Sequence, residues 1–566
     1  VTAGLSPQRW ARDVATLADA QLDVLVVGGG IVGAGTALDA ARRGLSVGLV
    51  EAQDWASGSS SRTSRLVHGG LRYLRTFDWA LVREGLVQRA HLLRLAPHLV
   101  RPVRFVYPLR QRRAERAYVG AGVTLYDLLA RSSRTSAGLP WHSLLSRQEL
   151  ARLAPALRAQ HFGGAVSYYD AQVDDARYVL SVVRAAASQG ALTVNRALVT
   201  GLLGQRGRVC GARVLLVETG EELEVRARVV VSATGAWTER FEELAGRSRP
   251  LRLRPSKGVH LVVPRRCIES SAALVLPTPK SLLFVVPWGR FWLVGTTDTP
   301  WGYDLARPVA SRPDVDYLLA QLNQVLERPV LPDDVVSVFA GVRPLIAGAS
   351  DETTRLSREH AVSRPGPGLV VVSGGKFTTY RVMAHDAVDA AVAAAGLGAT
   401  APAGPGPEVA GGDGFGPLWE DRERLASSAG LALEQVERLL YRYGSLAPDV
   451  LGSTAVAEPL APLQGGSGYL RAEVAYAVSD EGARHVEDVL RRRTRLAVET
   501  PDGALAAAQE VAGVMAPVLG WGPVTVDEEL ASYRLQVEAE MTARSAPGDR
   551  EADAHMATAR PLLPLP

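Results

Sequence analysis

Asp23-Val-Leu-Val-Val-Gly-Gly-Gly-Ile-Val-Gly33 decides the fold. Val24 to Val27 form an apolar run of strand length, and Gly28, Gly30 and Gly33 follow as G-x-G-x-x-G. The periodicity predicts a helix over Ala34 to Arg43, stopped by Gly44, then a second strand from Ser46 to Val50 that ends at Glu51. Gly28 permits the tight turn, Gly30 leaves room for a pyrophosphate against the backbone, and Gly33 lets the helix approach the sheet. Phosphates would then sit at a helix N-terminus, where free N–H groups and the macrodipole attract anions. Glu51 stands about 20 residues beyond Gly30, where a carboxylate accepts hydrogen bonds from a ribose diol. Ala37 and Ala41 keep the helix face that meets the sheet small. Strand, glycines, helix and acid together point to a bound dinucleotide, FAD or NAD, on a βαβ unit.

With 566 residues, two or three domains are expected, and 47% apolar with 22% charged residues describes an ordinary globular chain. A net charge of +4 argues against a nucleic-acid partner. Cys210 and Cys267 give neither a metal spacing nor a disulfide framework, so no metal site is expected and a reducing cytoplasm is the simplest setting. No uncharged apolar run reaches the ~18 residues of a spanning helix. The segment Val1 to Gln21 reads as an amphipathic lead-in rather than a signal peptide, because Arg9, Arg12, Asp13 and Asp19 interrupt any apolar stretch.

After Glu51 comes Trp55-Ala-Ser-Gly-Ser-Ser-Ser-Arg-Thr-Ser-Arg65, too small and polar to fill a core but able to offer hydroxyls and N–H groups to a phosphate or sugar; a flexible surface loop is the competing reading. A helix is expected over 78–95, and another opening at Asp174, with Asp as N-cap. Residues 194–199, 208–216 and 223–232 read as a β-meander whose last strand ends in Ala233-Thr-Gly235. Strands of a second sheet are expected at 258–263, 282–287 and 291–297, and a helix at 312–327. Gly341-Val-Arg-Pro344 and Gly374-Gly-Lys-Phe-Thr-Thr-Tyr-Arg381 read as two basic loops, the second leading into a helix from Val382 to Ala395. Gly, Pro and Ala dominate 397–417, which reads as a linker. Residues 418–545 read as a helical domain and 546–566 as a disordered tail.

The spacing from Gly33 through Ala37, Ala41, Gly44 and Val47 to Glu51 resembles the glutathione-reductase-type FAD fold. Together with His68-Gly-Gly-Leu-Arg-Tyr73, Val173-Asp-Asp-Ala-Arg177, Gly295-Thr-Thr-Asp298, Gly341-Val-Arg-Pro344, Gly374 to Arg381 and Asp488-Val-Leu-Arg-Arg-Arg-Thr-Arg495, it resembles the FAD-dependent, quinone-linked glycerol-3-phosphate dehydrogenases over about residues 20–540. The family commonly has Lys where Arg65 stands and an acid where Arg75 stands. The resemblance implies an α/β fold: a Rossmann-like FAD domain (about 20–95, 171–255 and 340–396) interleaved with an antiparallel-sheet substrate domain (about 96–170 and 256–339), then the C-terminal helical domain. It implies oxidation of sn-glycerol 3-phosphate to dihydroxyacetone phosphate, electrons passing through FAD to a membrane quinone, and a cytoplasmic enzyme held peripherally at the inner face of the cell membrane. It leaves room for a homodimer.

Site residues follow from that resemblance. Arg343, Arg358 and Lys376 would bind the substrate phosphate, with Arg72 and Tyr73 closing the pocket. His260, in Lys257-Gly-Val-His260, is the candidate general base, against the alternative of a strand histidine with satisfied nitrogens. Arg343 could instead stabilise a developing alkoxide. Gly28, Gly30, Gly33, Glu51, Ser61, Ser64, His68, Gly235 and Gly375 would contact FAD. Arg491 to Arg493 and Arg495 could present a basic face to anionic lipid or form a salt-bridged helix face. An oxidase releasing peroxide, an amino-acid oxidase clamping a carboxylate with Arg343, and a non-catalytic flavin-binding protein are the other readings; convergent basic residues favour a phosphate dianion.

Overall fold

Two β-sheets share the N-terminal two-thirds of the chain, and helices fill the remainder. The computed structural model describes residues 3–70, 78–110, 113–132, 138–246, 251–279, 282–347, 360–398, 406, 409–466 and 468–559. Arg72, Tyr73 and Arg358 therefore lie outside the described residues, as do 560–566.

In the first sheet, Gln21–Val27 lies between Val47–Val50 and Glu222–Ser232, parallel to both. Leu192–Val194 extends it beyond Val47–Val50 and Leu369–Gly374 beyond Glu222–Ser232, again parallel. His360–Gly366 closes the latter edge antiparallel. Parallel strands need cover on both faces, and both faces are apolar here. Ile31–Arg42, Asp175–Ser188 and Tyr380–Ala395 bury one face around Val24, Val26, Leu49 and Val231. The meander Ala197–Gln205, Arg208–Leu216 and Glu222–Ser232, with the amphipathic helix Pro7–Asp19, covers the other around Leu25, Val27 and Val230. Asp174 caps its helix as expected, its side chain accepting from the N–H of Arg177.

The second sheet is mostly antiparallel and contains ten strands among the described residues. Leu253–Pro264 is its axis, flanked by Phe291–Gly295 and Ser337–Ile346. Three expectations are corrected at its margins. Leu66–Val67, inside the stretch expected in the first domain, pairs with Gly164–Val173 as an edge strand of this second sheet. Gly341 to Pro344 is not a loop but the middle of Ser337–Ile346, so the chain returns to the first sheet only after 346. The helix expected to 327 ends at Asn323, whose side-chain amide and carbonyl both bind Val330 and turn the chain.

The C-terminal helices, from Phe415–Glu420 to Pro523–Ala543, close around two apolar cores. The linker reading fails at its end: Val409 is buried in the core of the first sheet and donates its N–H to Leu95. The tail reading fails more widely. Asp549–Thr558 is a helix that buries Ala552 and Met556 against Ala539, Ala543, Val309 and Trp301. Its Asp549 meets Lys257 Nζ at 2.5 Å, opposite Asp314 at 2.5 Å. A fully buried ammonium needs such partners.

Candidate active site

The glycine turn forms as its spacing requires. Gly28 adopts φ 110°, and a Cβ there would lie 2.6 Å from the Ala233 carbonyl oxygen. A Cβ on Gly33 would lie 1.8 Å from the Gly28 carbonyl oxygen, so the helix start can approach the turn only as glycine. At the head of that helix the Ile31 N–H donates to Ser60 Oγ at 3.1 Å, and a Cβ on Gly30 would reach the same hydroxyl at 3.1 Å. Glu51 is held at the end of its strand by the N–H groups of Gly29 (2.6 Å) and Gln53 (2.8 Å), one to each oxygen. Oε1 also accepts from Ser57 Oγ at 3.4 Å, so Oε2 is the oxygen that keeps a lone pair for a ribose hydroxyl. Burial raises the Glu51 pKa, partly offset by those two N–H groups. Ala233 and Gly235, the latter at φ 58°, close the neighbouring strand end. An anion-attracting helix start, an uncluttered backbone and a diol acceptor thus form one dinucleotide cradle.

The serine-rich loop carries this cradle onto the second sheet. Ser59 Oγ donates to the Val342 carbonyl at 2.5 Å, and a Cβ on Gly341 would meet the Arg62 carbonyl at 2.6 Å. Register places Ser256 opposite Arg343, Gly258 opposite Gly341 and His260 opposite Phe339. Strand alternation puts all six on one face, beneath the loop. There Ser64 Oγ lies 2.9 Å from His260 Nε2, and Phe339 stacks on the imidazole with ring centroids 4.9 Å apart. His260 is 3% exposed, and its Nδ1 has no hydrogen-bond partner among the described residues. Burial, reinforced by Arg343 and Arg65, lowers its pKa to about 3, so the ring is neutral. The Arg343 guanidinium lies across Gly258, where a Cβ would sit 2.3 Å from Nη2. It donates to Thr296 Oγ1 at 3.0 Å and to the Thr297 carbonyl at 3.2 Å, with Asp298 at 3.7 Å.

A second junction joins two other expected motifs. The His68 N–H donates to Thr378 Oγ1 at 3.2 Å, which brings the His68 loop against Lys376 to Thr379. Gly375 at φ 75° leaves no room for a side chain, since a Cβ would meet Met383 Sδ at 2.5 Å. The Lys376 charge is felt by Glu84. The structure thus groups Ser64, His260 and Arg343 on one face, and His68, Gly375 and Lys376 at this junction. Ser61 is buried and its carbonyl accepts from Arg495, while the hydroxyl at the helix start is that of Ser60, a residue not singled out from the sequence. A run of adjacent serines carried no signal for which hydroxyl would turn inward.

The lipid-facing reading of the arginine cluster is overturned. Arg492 and Arg493 are buried against Asp54, with contacts of 2.5 and 2.7 Å. Arg495 is buried on Asp174 and Asp175, and Arg491 pairs with Glu540 at 2.9 Å. Burial alone would raise the Asp174 pKa, yet Arg495, Arg442 and Arg65 hold it well below the carboxylate range. These residues clamp the helical domain to the dinucleotide half of the molecule.

Comparison with known proteins agrees with this geometry. A family model described as FAD dependent oxidoreductase matches residues 23–394, and one described as the C-terminal domain of alpha-glycerophosphate oxidase matches 407–526. The chain is 47% identical to a glycerol-3-phosphate dehydrogenase of Mycobacterium leprae, over 98% of this chain and 94% of that protein. It is 46% identical to glycerol-3-phosphate dehydrogenase 2 of Mycobacterium tuberculosis, over 98% and 95%. The crystal structure of the glycerol-3-phosphate dehydrogenase from Bacillus halodurans complexed with FAD superposes with TM-score 0.75 at 28% identity, covering 95% of this chain and 98% of that one.

Proposed function

The chain belongs to the FAD-dependent glycerol-3-phosphate dehydrogenase family, and on that premise we propose that it oxidises sn-glycerol 3-phosphate to dihydroxyacetone phosphate and passes the electrons to a membrane quinone. The observation that carries the reading is the placing of His260 and Arg343 on one sheet face, beneath a loop that begins at the dinucleotide cradle.

The residues present fit FAD: Gly30 has no side chain and only the Ser60 hydroxyl stands near its Cβ position, that hydroxyl lies at the Ile31 helix start, and Glu51 Oε2 holds a spare lone pair. When bound, FAD supplies a hydride acceptor for C2 of the alcohol. Arg343, fixed by Thr296 and Thr297, presents a planar cation to the substrate phosphate or to the alkoxide that develops at C2. Lys376 adds charge from the second junction, Arg358 completes the proposed phosphate set, and Arg72 and Tyr73 close the pocket. His260 takes the hydroxyl proton. The contact of its Nε2 with Ser64 Oγ and the stack on Phe339 fix the orientation of the imidazole.

No described helix is long and apolar enough to cross a membrane. Contact with the inner face of the cell membrane would therefore be peripheral, through a surface other than the Arg491 to Arg495 cluster. A second reading, an oxidase that uses oxygen, draws on the alpha-glycerophosphate oxidase description matched by the C-terminal domain.

Anaerobic addition of glycerol 3-phosphate to the yellow protein should bleach it, and a soluble quinone should restore the colour faster than air. No bleaching refutes the substrate; faster recovery in air refutes the quinone and favours the oxidase. Arg343→Ala should raise KM by about ten- to a hundredfold while the yellow colour survives, because a charge-assisted pair is worth ~1.5–3 kcal/mol. Loss of flavin instead would make Arg343 structural.

A further inference from the structure

The loop that brings Ser64 to His260 is held from outside both sheets. Arg495, from the C-terminal helical domain, donates from Nη1 to the Ser61 carbonyl at 3.2 Å. Its Nη2 pairs with Asp175, and with Asp174 at 2.8 Å. Asp175 in turn accepts from the Thr63 N–H at 3.0 Å and the Thr63 hydroxyl at 2.7 Å. The same hydroxyl accepts from the Arg65 N–H at 2.9 Å. One guanidinium therefore holds Ser61 directly and Thr63 through Asp175, the two residues that flank Arg62 just before Ser64. Arg495 is 2% exposed and adopts φ 76°, following the π-helical turn Val489–Arg493. Side-chain-bearing residues seldom take that conformation, which here aims the side chain back at the loop.

A second path reaches the imidazole from the same domain. Glu499 accepts from Trp288 Nε1 at 3.1 Å. The Arg65 guanidinium lies 3.7 Å over the Trp288 ring and 5.6 Å from the Phe339 ring, and Phe339 stacks on His260.

We propose that Arg495 is a positioning residue for the oxidation: through Asp175, Thr63 and the Ser61 carbonyl, the C-terminal domain holds the Ser59–Arg65 loop at the height where Ser64 orients His260. This rests on the reading of His260 as the proton acceptor. The helical domain, which contributes no residue to the dinucleotide cradle described above, is then required for the rate of the chemical step rather than for holding the flavin.

The test uses the full-length flavin-loaded protein and the anaerobic rate of flavin bleaching by glycerol 3-phosphate. Thr63→Val keeps the shape, the interdomain ion pairs and the Thr63 N–H bond to Asp175, but removes the hydroxyl that gives Asp175 its second bond to the loop and the Arg65 N–H its acceptor. Its limiting bleaching rate should fall by about ten- to a hundredfold, with substrate KM and flavin absorbance unchanged. Arg495→Ala should lower the same rate, and Arg495→Lys should recover part of it; where Arg495→Ala fails to fold, Thr63→Val decides. In a His260→Gln background, Thr63→Val should have no further effect, because its action passes through His260. The inference is overturned if Thr63→Val bleaches at the wild-type rate, or slows bleaching by the same factor with and without His260. A His260→Gln protein that bleaches at the wild-type rate overturns the proton-acceptor reading and this inference with it. A slow His260→Gln beside wild-type rates in Thr63→Val and Arg495→Ala overturns this inference alone.

Discussion

Asp54→Asn removes the carboxylate on which the two halves of the molecule close. Asp54 is 0% exposed and accepts from Arg492 Nε at 2.5 Å and from Arg493 Nη1 and Nη2 at 2.7 and 2.8 Å. The two arginines are not equally dependent on it. Arg492 keeps Asp488 at 2.6 Å and Glu487 at 3.4 Å. Arg493 keeps the Glu481 carbonyl at 2.8 Å, while the Glu481 carboxylate is engaged by Arg177 at 2.5 Å. The substitution therefore strands one buried guanidinium, at a cost of ~3–5 kcal/mol. Each 1.4 kcal/mol is tenfold, so the helical domain should open about a hundred to several thousand times more often. Amide hydrogen exchange reads this directly: residues 486–499 should lose protection by that factor, up to the limit set by global unfolding. Arg493→Gln added to Asp54→Asn should restore part of the loss, because the penalty lies in the uncompensated charge rather than in missing contact area. Wild-type protection over 486–499 in Asp54→Asn, or a double variant as weak as the sum of the two single ones, would refute the reasoning.

Gly33→Ala should yield colourless protein, since its methyl would meet the Gly28 carbonyl oxygen at 1.8 Å and backbone cannot rotate away; a yellow variant with normal flavin content refutes the close-packed turn. His485 lies 2.6 Å from Glu529 and 3.4 Å from Glu218. Burial opposes its charge, but those carboxylates win and raise its pKa to about 9. A pKa raised on folding gives stabilisation that is complete below ~6.5 and lost as pH rises through about 9. His485→Gln should therefore cost up to ~3 kcal/mol at pH 6 and almost nothing at pH 10, read by denaturant melts; equal losses at both pH values refute the ion pair. Removing residues 548–566 should cost ~2–4 kcal/mol through exposed Met556 contacts and the loss of Asp549 from Lys257, and an unchanged melt would show that the last helix contributes nothing.

The cradle was legible because everything it needs is local. Strand, glycines, helix and Glu51 fall within one βαβ unit, and each glycine answers a contact with the turn itself, an adjacent strand end or the serine loop. The pairing of Ser64 with His260 was not, because it exists only once Leu253–Pro264 and Ser337–Ile346 set their register and the loop is laid across them. Composition showed that the serine run had hydroxyls to offer, but the short turn Ser59–Ser61 determines which one reaches Ile31. The choice between the lipid-facing and the salt-bridged reading of the arginine cluster was closed to the sequence for a related reason. Its charge is visible from 491 to 495, whereas its counter-ions Asp54, Asp174 and Asp175 come from the other end of the chain. The terminal helix hid because its buried stripe is only Ala552 and Met556, a hydropathy signal too short to lift a charged segment above a tail.

That separation of partners has a consequence for biosynthesis. Asp54, Asp174 and Asp175 leave the ribosome long before Arg492, Arg493 and Arg495. At ~5–20 residues per second, the nascent chain carries them for tens of seconds as hydrated anions that cannot yet be enclosed. The innermost strand Gln21–Val27 must likewise await Glu222–Ser232 before its second side is covered. Early segments of this protein are therefore committed to remaining open until late ones arrive, and a ribosome that stalls before residue 492 leaves an apolar sheet without its lock.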